Sequence, residues 1–532
     1  MSKNHTASDT SNDRHEITRR SFVVGGAVVG GAMVGATAGV VSLGSVEPVA
    51  ARTQPPIVDY PFTLGIASGD PLANGVVIWT RLAPDPLDGG GMADETYRVE
   101  WEVADDPAMA KVVRRGRARA QAEHGHSVHV DVRGLRPDRD YWYRFRVGDH
   151  VSPTGRTRTT PRSNARPESL VFGLVSCQRY NAGYYTAYDD LVASAPDLVV
   201  HVGDYIYESP GGGVRSDPLP ESITLDEYRN RYALYKSDAS LMAAHEVAPW
   251  LFTWDDHEVE NNHAGLVPEI GSATPDPAAF AARRTAAYKA YWEHMPFRAR
   301  APRGVDFRIH RHMPWGRLAD FFVLDTRQYR ADQCGEVGPP CEPVADESRE
   351  MLGARQQRWL DRGIARSRAD WSVLAQQVVF SRMDLFPGAP EFYNLDQWDG
   401  YAHAREQVLE TMRTRRPNDN IVLTGDIHAS GVSNVMTDYR DPGSAPMGAE
   451  FVGTSVSSSG NDLLGAVLPA VLAENPHIKW ADNAKRGWVK HTVTRDAWRA
   501  DFRHVDDVRV EGSPVETATS WVVPRGEGAQ TA

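Results

Sequence analysis

Four short segments carry side chains that could do chemistry together. They are Ser176-Cys177-Gln178-Arg179, Gly203-Asp204-Tyr205-Ile206-Tyr207-Glu208, Asp255-Asp256-His257-Glu258-Val259-Glu260-Asn261-Asn262-His263 and Gly425-Asp426-Ile427-His428, and each follows an apolar run. Between them they offer a thiol, a phenol, carboxylates, amides and imidazoles. Carboxylates gathered at one edge repel one another, and burial makes the conflict worse. Multivalent cations remove that conflict, so the set reads as a metal cluster. A phenol, a thiol and carboxylates suit Fe(III), whereas all-oxygen positions suit Ca(II), with Mg(II) or Mn(II) as rivals. A structural zinc site is not expected, because the chain has no CxxC pair. Neighbouring cations can bind phosphate oxygens, lower the pKa of a bound water and stabilise a leaving oxygen, which makes displacement at phosphorus feasible. Each segment alone also has an ordinary reading: Gly-Asp after a strand is commonly a capped turn, and a lone His is commonly a core or surface residue. The recurrence at successive strand ends is what carries the inference.

The elements that must position these residues follow from pattern. Apolar strands are expected at Ser169–Ser176, Leu198–Val202, Trp250–Trp254, Ala319–Leu324, Ser372–Phe380 and Asn420–Thr424. Helical patterns lie between them near 182–194, 225–247, 276–294, 353–368 and 402–415. Residues 166–515 therefore read as a layered α+β catalytic domain, whose ligands belong beyond the carboxyl ends of the strands. Residues 58–160 differ. Val76–Thr80, Tyr97–Val103, Ser127–Val132 and Tyr141–Val147 are short alternating or β-branched runs. A Leu135-Arg136-Pro137 turn before the last resembles fibronectin-type or Ig-like sandwiches, so a small all-β sandwich domain is expected. Residues 516–532 are expected to be a frayed C-terminal tail.

Composition bounds the class. The chain has 532 residues, with 58 basic and 70 acidic side chains, a formal net charge of −12, 41% hydrophobic residues and three cysteines. That is globular composition. The acidic balance argues against a nucleic-acid-binding domain. No charged residue lies between Ser21 and Val46, and Thr18-Arg19-Arg20-Ser21-Phe22 precedes this stretch. A twin arginine before a mild apolar segment reads as a twin-arginine export signal over residues 1–51, with Val49-Ala50-Ala51 as the peptidase site. A membrane anchor is the competing reading. The expected location is secreted or in the cell envelope.

The four segments together resemble the PhoD-type alkaline phosphatases and phosphodiesterases of the metallophosphoesterase superfamily. Leu324-Asp325-Thr326-Arg327-Gln328-Tyr329-Arg330, Trp398-Asp399-Gly400-Tyr401, Gly453–Ser458, Phe62–Pro71 and Val77–Arg81 support the resemblance, which covers nearly the whole chain after residue 51. It implies two packed sheets flanked by helices, one Fe(III) and two Ca(II). Cys177, Asp204, Tyr207, Asp426 and His428 would surround the iron. Asp204 would bridge to calcium, which Asp256 and Asn262 would also bind. His257 stands where the superfamily's Asn-His pair has its catalytic histidine. The superfamily's Asp-x-His, Gly-Asn-His and Gly-His-x-His are replaced here by Ser176-Cys177, Asp255-Asp256-His257 and Gly425-Asp426-Ile427-His428, departures that point to the PhoD branch. Cys334 and Cys341 stand in a short Gly/Pro loop and read as a disulfide, with two free thiols as the alternative. Cys177 is then left for iron, its bland reading being an ordinary buried cysteine. The function expected is hydrolysis of phosphomonoesters, phosphodiesters or both. One alternative is a phospholipase D-type diesterase using the same metals, and another is a secreted surface-binding protein with structural metals. The partners expected are a phosphate-ester substrate, the twin-arginine export machinery and transient contact with a lipid surface. The chain is expected to act as a monomer.

Overall fold

The computed structural model describes residues 56–340, 346–386, 388–441 and 443–532. The export-signal segment 1–51 and Cys341 lie outside the described residues. None of the described helices is long and apolar enough to cross a membrane.

Two large sheets lie face to face. In one, Leu170–Val175, Leu198–His201 and Trp250–Phe252 run parallel as neighbours. In the other, Ala319–Val323, Trp371–Ala375, Asn420–Thr424 and Pro446–Val452 do the same. Strands covered on both faces read as near-continuous apolar runs, and these do, interrupted by His201, Asp320, Ser372, Asn420, Thr424 and Glu450. Their inner faces meet in one core that includes Phe172, Leu174, Val200, Phe321, Val373, Ile421 and Phe451. Helices Thr186–Ala193, Leu225–Lys236, Ala239–Val247 and Pro277–His294 carry residues packed with the outer face of the first sheet. Gly353–Arg366 and Ala402–Arg415 pack on the second. The α+β two-sheet sandwich flanked by helices is therefore present.

Three features depart from expectation. The helix expected over 225–247 is two helices, because Asp238 turns the chain and its side chain accepts from Leu241 N to cap the second. The tail does not fray: Val515–Pro524 pairs with Ala497–Val505, and Gln530–Thr531 pairs with Val515–Pro524. Finally, the N-terminal sandwich shares a sheet with the catalytic region. Ile66–Leu72 joins Trp250–Phe252 in parallel at Gly69, and Gly75–Arg81 and Ser127–Arg133 extend the same ten-stranded sheet. Across a core of Val76, Ile78, Val99, Tyr143 and Phe145 it faces a separate sheet containing Tyr97–Ala104, Val112–Ala120 and Asp140–Val147. The shared pairing covers an edge that would otherwise be open.

Candidate metal centre

The strands that lead to the site residues end at Val175, His201, Phe252 and Thr424, so the chemistry sits on the turns just beyond. The strand expected to reach Phe380 stops at Ala375, and the one expected to reach Trp254 stops at Phe252. Cys177, Asp204, Asn262, Asp426 and His428 all hold left-handed backbone, with φ of 57°, 56°, 51°, 64° and 55°. Such strain is uncommon outside glycine and persists where the surroundings over-determine it. Two glycines let the turns converge. A Cβ on Gly203, whose φ is +117°, would come within 2.4 Å of Asp255 Cβ, and one on Gly425 would come within 2.6 Å of Ser176 Oγ.

The result is three overlapping groups whose ligand atoms lie within 4.8 Å of one another: Cys177, Asp204 and His428; Asp204, Asp256 and His257; and Asp255, Asp256 and Asp426. Asp204 belongs to the first two and Asp256 to the last two. Tyr207 joins the first group, since its hydroxyl donates to Asp204 Oδ2 at 2.9 Å and lies 2.8 Å from His428 Nε2. His428 Nδ1 donates to the Ser459 carbonyl at 2.7 Å, which leaves Nε2 with its lone pair. Ser458 Oγ donates to the Tyr207 oxygen at 2.8 Å. Asn262 reaches the site differently, its backbone N–H donating to Asp256 Oδ2 at 2.7 Å. Asp204, Asp256, His257, Asn262, Asp426 and His428 line one cleft of about 190 Å³.

A cation fits the first group on the structure's own terms. One phenol proton faces two acceptors, and Asp204 Oδ1 is buried with no hydrogen-bond partner. Burial, and then Asp204, push the Cys177 thiol well up, while burial and then Asp204 and Cys177 do the same to Tyr207. Burial, and then Arg486 and His257, lower His428 to about 3. All three donors thus stay protonated or neutral until a positive charge replaces the protons.

The third group already holds a cation of its own. Arg327 is fully buried. It ion-pairs with Asp255, donates from Nη1 to both oxygens of Asp396 at 3.0 and 2.7 Å, and donates from Nη2 to Asp426 at 2.9 Å. Its Nη2 lies 3.6 Å from Asp256. Arg330 brings a second guanidinium to Asp396, donating from Nη2 at 2.6 Å. Sequence reasoning quoted Arg327 without giving it a role and did not find Asp396, which sits in the connection after Trp371–Ala375. It also left Glu208 without a role, although that carboxylate holds His257 Nδ1 at 2.7 Å. Burial opposes a charge on His257, but Glu208, Asp256 and Asp204 outweigh it and lift the imidazole to about 10. Cys334 packs beside Tyr393 and Leu395.

Known proteins share this arrangement of elements. A family model described as PhoD-like phosphatase matches residues 172–502. A second, described as PhoD-like phosphatase, N-terminal domain, matches residues 48–161. Alkaline phosphatase D of Bacillus subtilis (strain 168) is 45% identical over 520 residues, which span 96% of this chain and 88% of that protein. A solved structure of PhoD is similar with a TM-score of 0.87 at 45% identity, covering 90% of this chain and 93% of that one. With both of its parts matched over most of their length, the chain belongs to the PhoD-like phosphatase family.

Proposed function

We propose that the chain is an exported phosphoesterase whose phosphoric-ester hydrolysis depends on iron and calcium held at this cluster. Family membership makes it a phosphoric-ester hydrolase. The observation that carries the metal dependence is the group around Asp204, where one phenol proton faces two acceptors and one buried oxygen is left unpaired. Cys177, Asp204, Tyr207, Asp426 and His428 would hold Fe(III), and Asp204, Asp256 and Asn262 would hold Ca(II). When bound, such ions supply positive charge to phosphate oxygens and make water a better nucleophile.

The chain's own residues do the rest. Glu208 fixes Nδ1 of His257, which leaves Nε2 to donate a proton to the leaving oxygen. Arg327 keeps Asp255 and Asp426 in place without occupying the cleft. Ser458 and Ser459 fix Tyr207 and His428 from behind. A cleft of about 190 Å³ suits a phosphate group and the first atoms of its ester. Turnover of p-nitrophenyl phosphate, bis-p-nitrophenyl phosphate and phosphatidylcholine by one preparation tests the substrate class. Hydrolysis of the first two without the third is expected, and preferential release of a lipid headgroup would replace this reading with the phospholipase one.

Export by the twin-arginine route, action as a monomer and a Cys334–Cys341 bridge complete the proposal. Thiol titration of the denatured chain should find one free thiol, that of Cys177, and three would remove the bridge.

A further inference from the structure

A second cleft lies on the flank of the sheet sandwich, outside the metal centre. It encloses about 410 Å³ between the end of Ile66–Leu72, the segment after helix Pro277–His294, and Arg311–Trp315, an edge strand of the second sheet. Leu72, Leu251, Phe297 and Met313 line it with carbon. Leu251 and Met313 are buried members of the core between the sheets, so the cleft opens onto that core.

Its polar lining is unbalanced. Three guanidiniums, Arg298, Arg308 and Arg311, share it with one carboxylate, Asp70. Asp70 is nearly buried and held at φ 46°. Its oxygens accept from Arg311 Nε at 2.7 Å and from the Arg298 backbone N–H at 2.9 Å. Arg298 is further tied to Asp131 and to the Asp70 carbonyl. Arg311 Nη1 donates to the Ile309 carbonyl, and its guanidinium sits 5.0 Å from the Phe297 ring centre. Arg311 Nη2 remains buried with no hydrogen-bond partner. Arg308 is exposed and pairs with no carboxylate among the described residues. The surplus is felt nearby: burial and then Arg308 and Arg355 depress His310 to about 4, and burial lowers Arg298, with Arg311 adding to the effect.

A buried donor without an acceptor is costly, and a guanidinium prefers a carboxylate-like partner. We infer that this cleft is a binding site for a small organic anion with an unbranched apolar body, its head between Arg308 and Arg311 Nη2 and its chain over Leu72, Phe297 and Met313. The site stands apart from the metal centre in both lining and chemistry. It does not depend on the hydrolytic reading.

Calorimetric titration with nonanoate below its micelle concentration tests this, with 1-nonanol as the uncharged control. One site per chain is expected for nonanoate, and no binding for the alcohol. Arg308→Glu should weaken nonanoate about tenfold or more while leaving p-nitrophenyl phosphate turnover unchanged. Asp204→Asn should bind nonanoate as the unaltered chain does. Three results would overturn the inference: no binding by the unaltered protein, undiminished binding by Arg308→Glu, or loss of binding in Asp204→Asn, which would put the ligand in the metal cleft.

Discussion

The two halves of the acidic centre solve the same electrostatic problem in different ways. Around Asp204 the partners are a thiol, a phenol and an imidazole, and an oxygen is left unpaired. Around Asp255, Asp396 and Asp426 the partner is a buried guanidinium with its fork filled, although Asp255 Oδ2 is likewise left unpaired. Buried carboxylates need a compensating charge in both halves. The second half carries that charge in its sequence, whereas the first must import it. Exchangeable chemistry therefore centres on Asp204, with Asp256 and Asp426 shared between the halves, and rigidity on Arg327.

Changes that separate the halves should read out differently. Asp204→Asn removes the carboxylate common to two groups, so turnover of p-nitrophenyl phosphate should fall by about 10³-fold with the circular dichroism spectrum unchanged. Retained turnover would return the chain to the reading of a binding protein with structural metals. Arg327→Met should do the opposite. It leaves Asp255 buried without its cation and Asp396 with Arg330 alone, and should cost about 3–5 kcal/mol in urea unfolding. Arg327→Lys should recover part of that by restoring charge without the fork. A stable Arg327→Met protein would show that the second half, too, relies on imported cations. Cys177→Ala should lower bound iron and turnover together, and full iron occupancy there would remove the thiol from the ligand set. Glu208→Gln leaves both halves standing but loosens His257, for a loss of about 10–100-fold in turnover.

The smallest effect lies in the sandwich core away from either half. His491 is fully buried, accepts from Trp498 Nε1 at 2.9 Å and stacks on Phe172. Burial lowers its pKa from 6.5 to about 3. A depressed histidine contributes its full stability above pH 6.5 and loses it as pH falls towards 3, because the unfolded chain takes up the proton first. The urea midpoint should therefore drop between pH 7.5 and pH 4.5, and drop less in His491→Gln. Equal drops in the two proteins would place the acid sensitivity elsewhere.

The Asp204 half was readable in the sequence because each ligand directly follows an apolar strand, where side-chain type and position agree. The Arg327 half was not. Asp396 follows only the two-residue strand Tyr393–Asn394, too short to show as an apolar run, and Arg327 looks like any surface arginine until the fold closes over it. Four strands of the N-terminal sandwich were legible from alternation or β-branching, whereas Ile66–Leu72 and Val112–Ala120 were not. Its fusion with the catalytic sheet was not, since the pairing of Gly69 with Trp250 joins residues far apart in sequence with no local signal. The break at Asp238 hid because Lys236-Ser237-Asp238 carries no Gly or Pro to mark the end of a helix. The final strands hid behind a Gly-rich end that looks unstructured by composition.

Elemental analysis paired with activity, before and after chelation, tests the central claim most directly. Purified protein should carry iron and calcium, lose turnover as they are stripped, and regain it when both are returned. A metal-free preparation with full turnover would contradict the account.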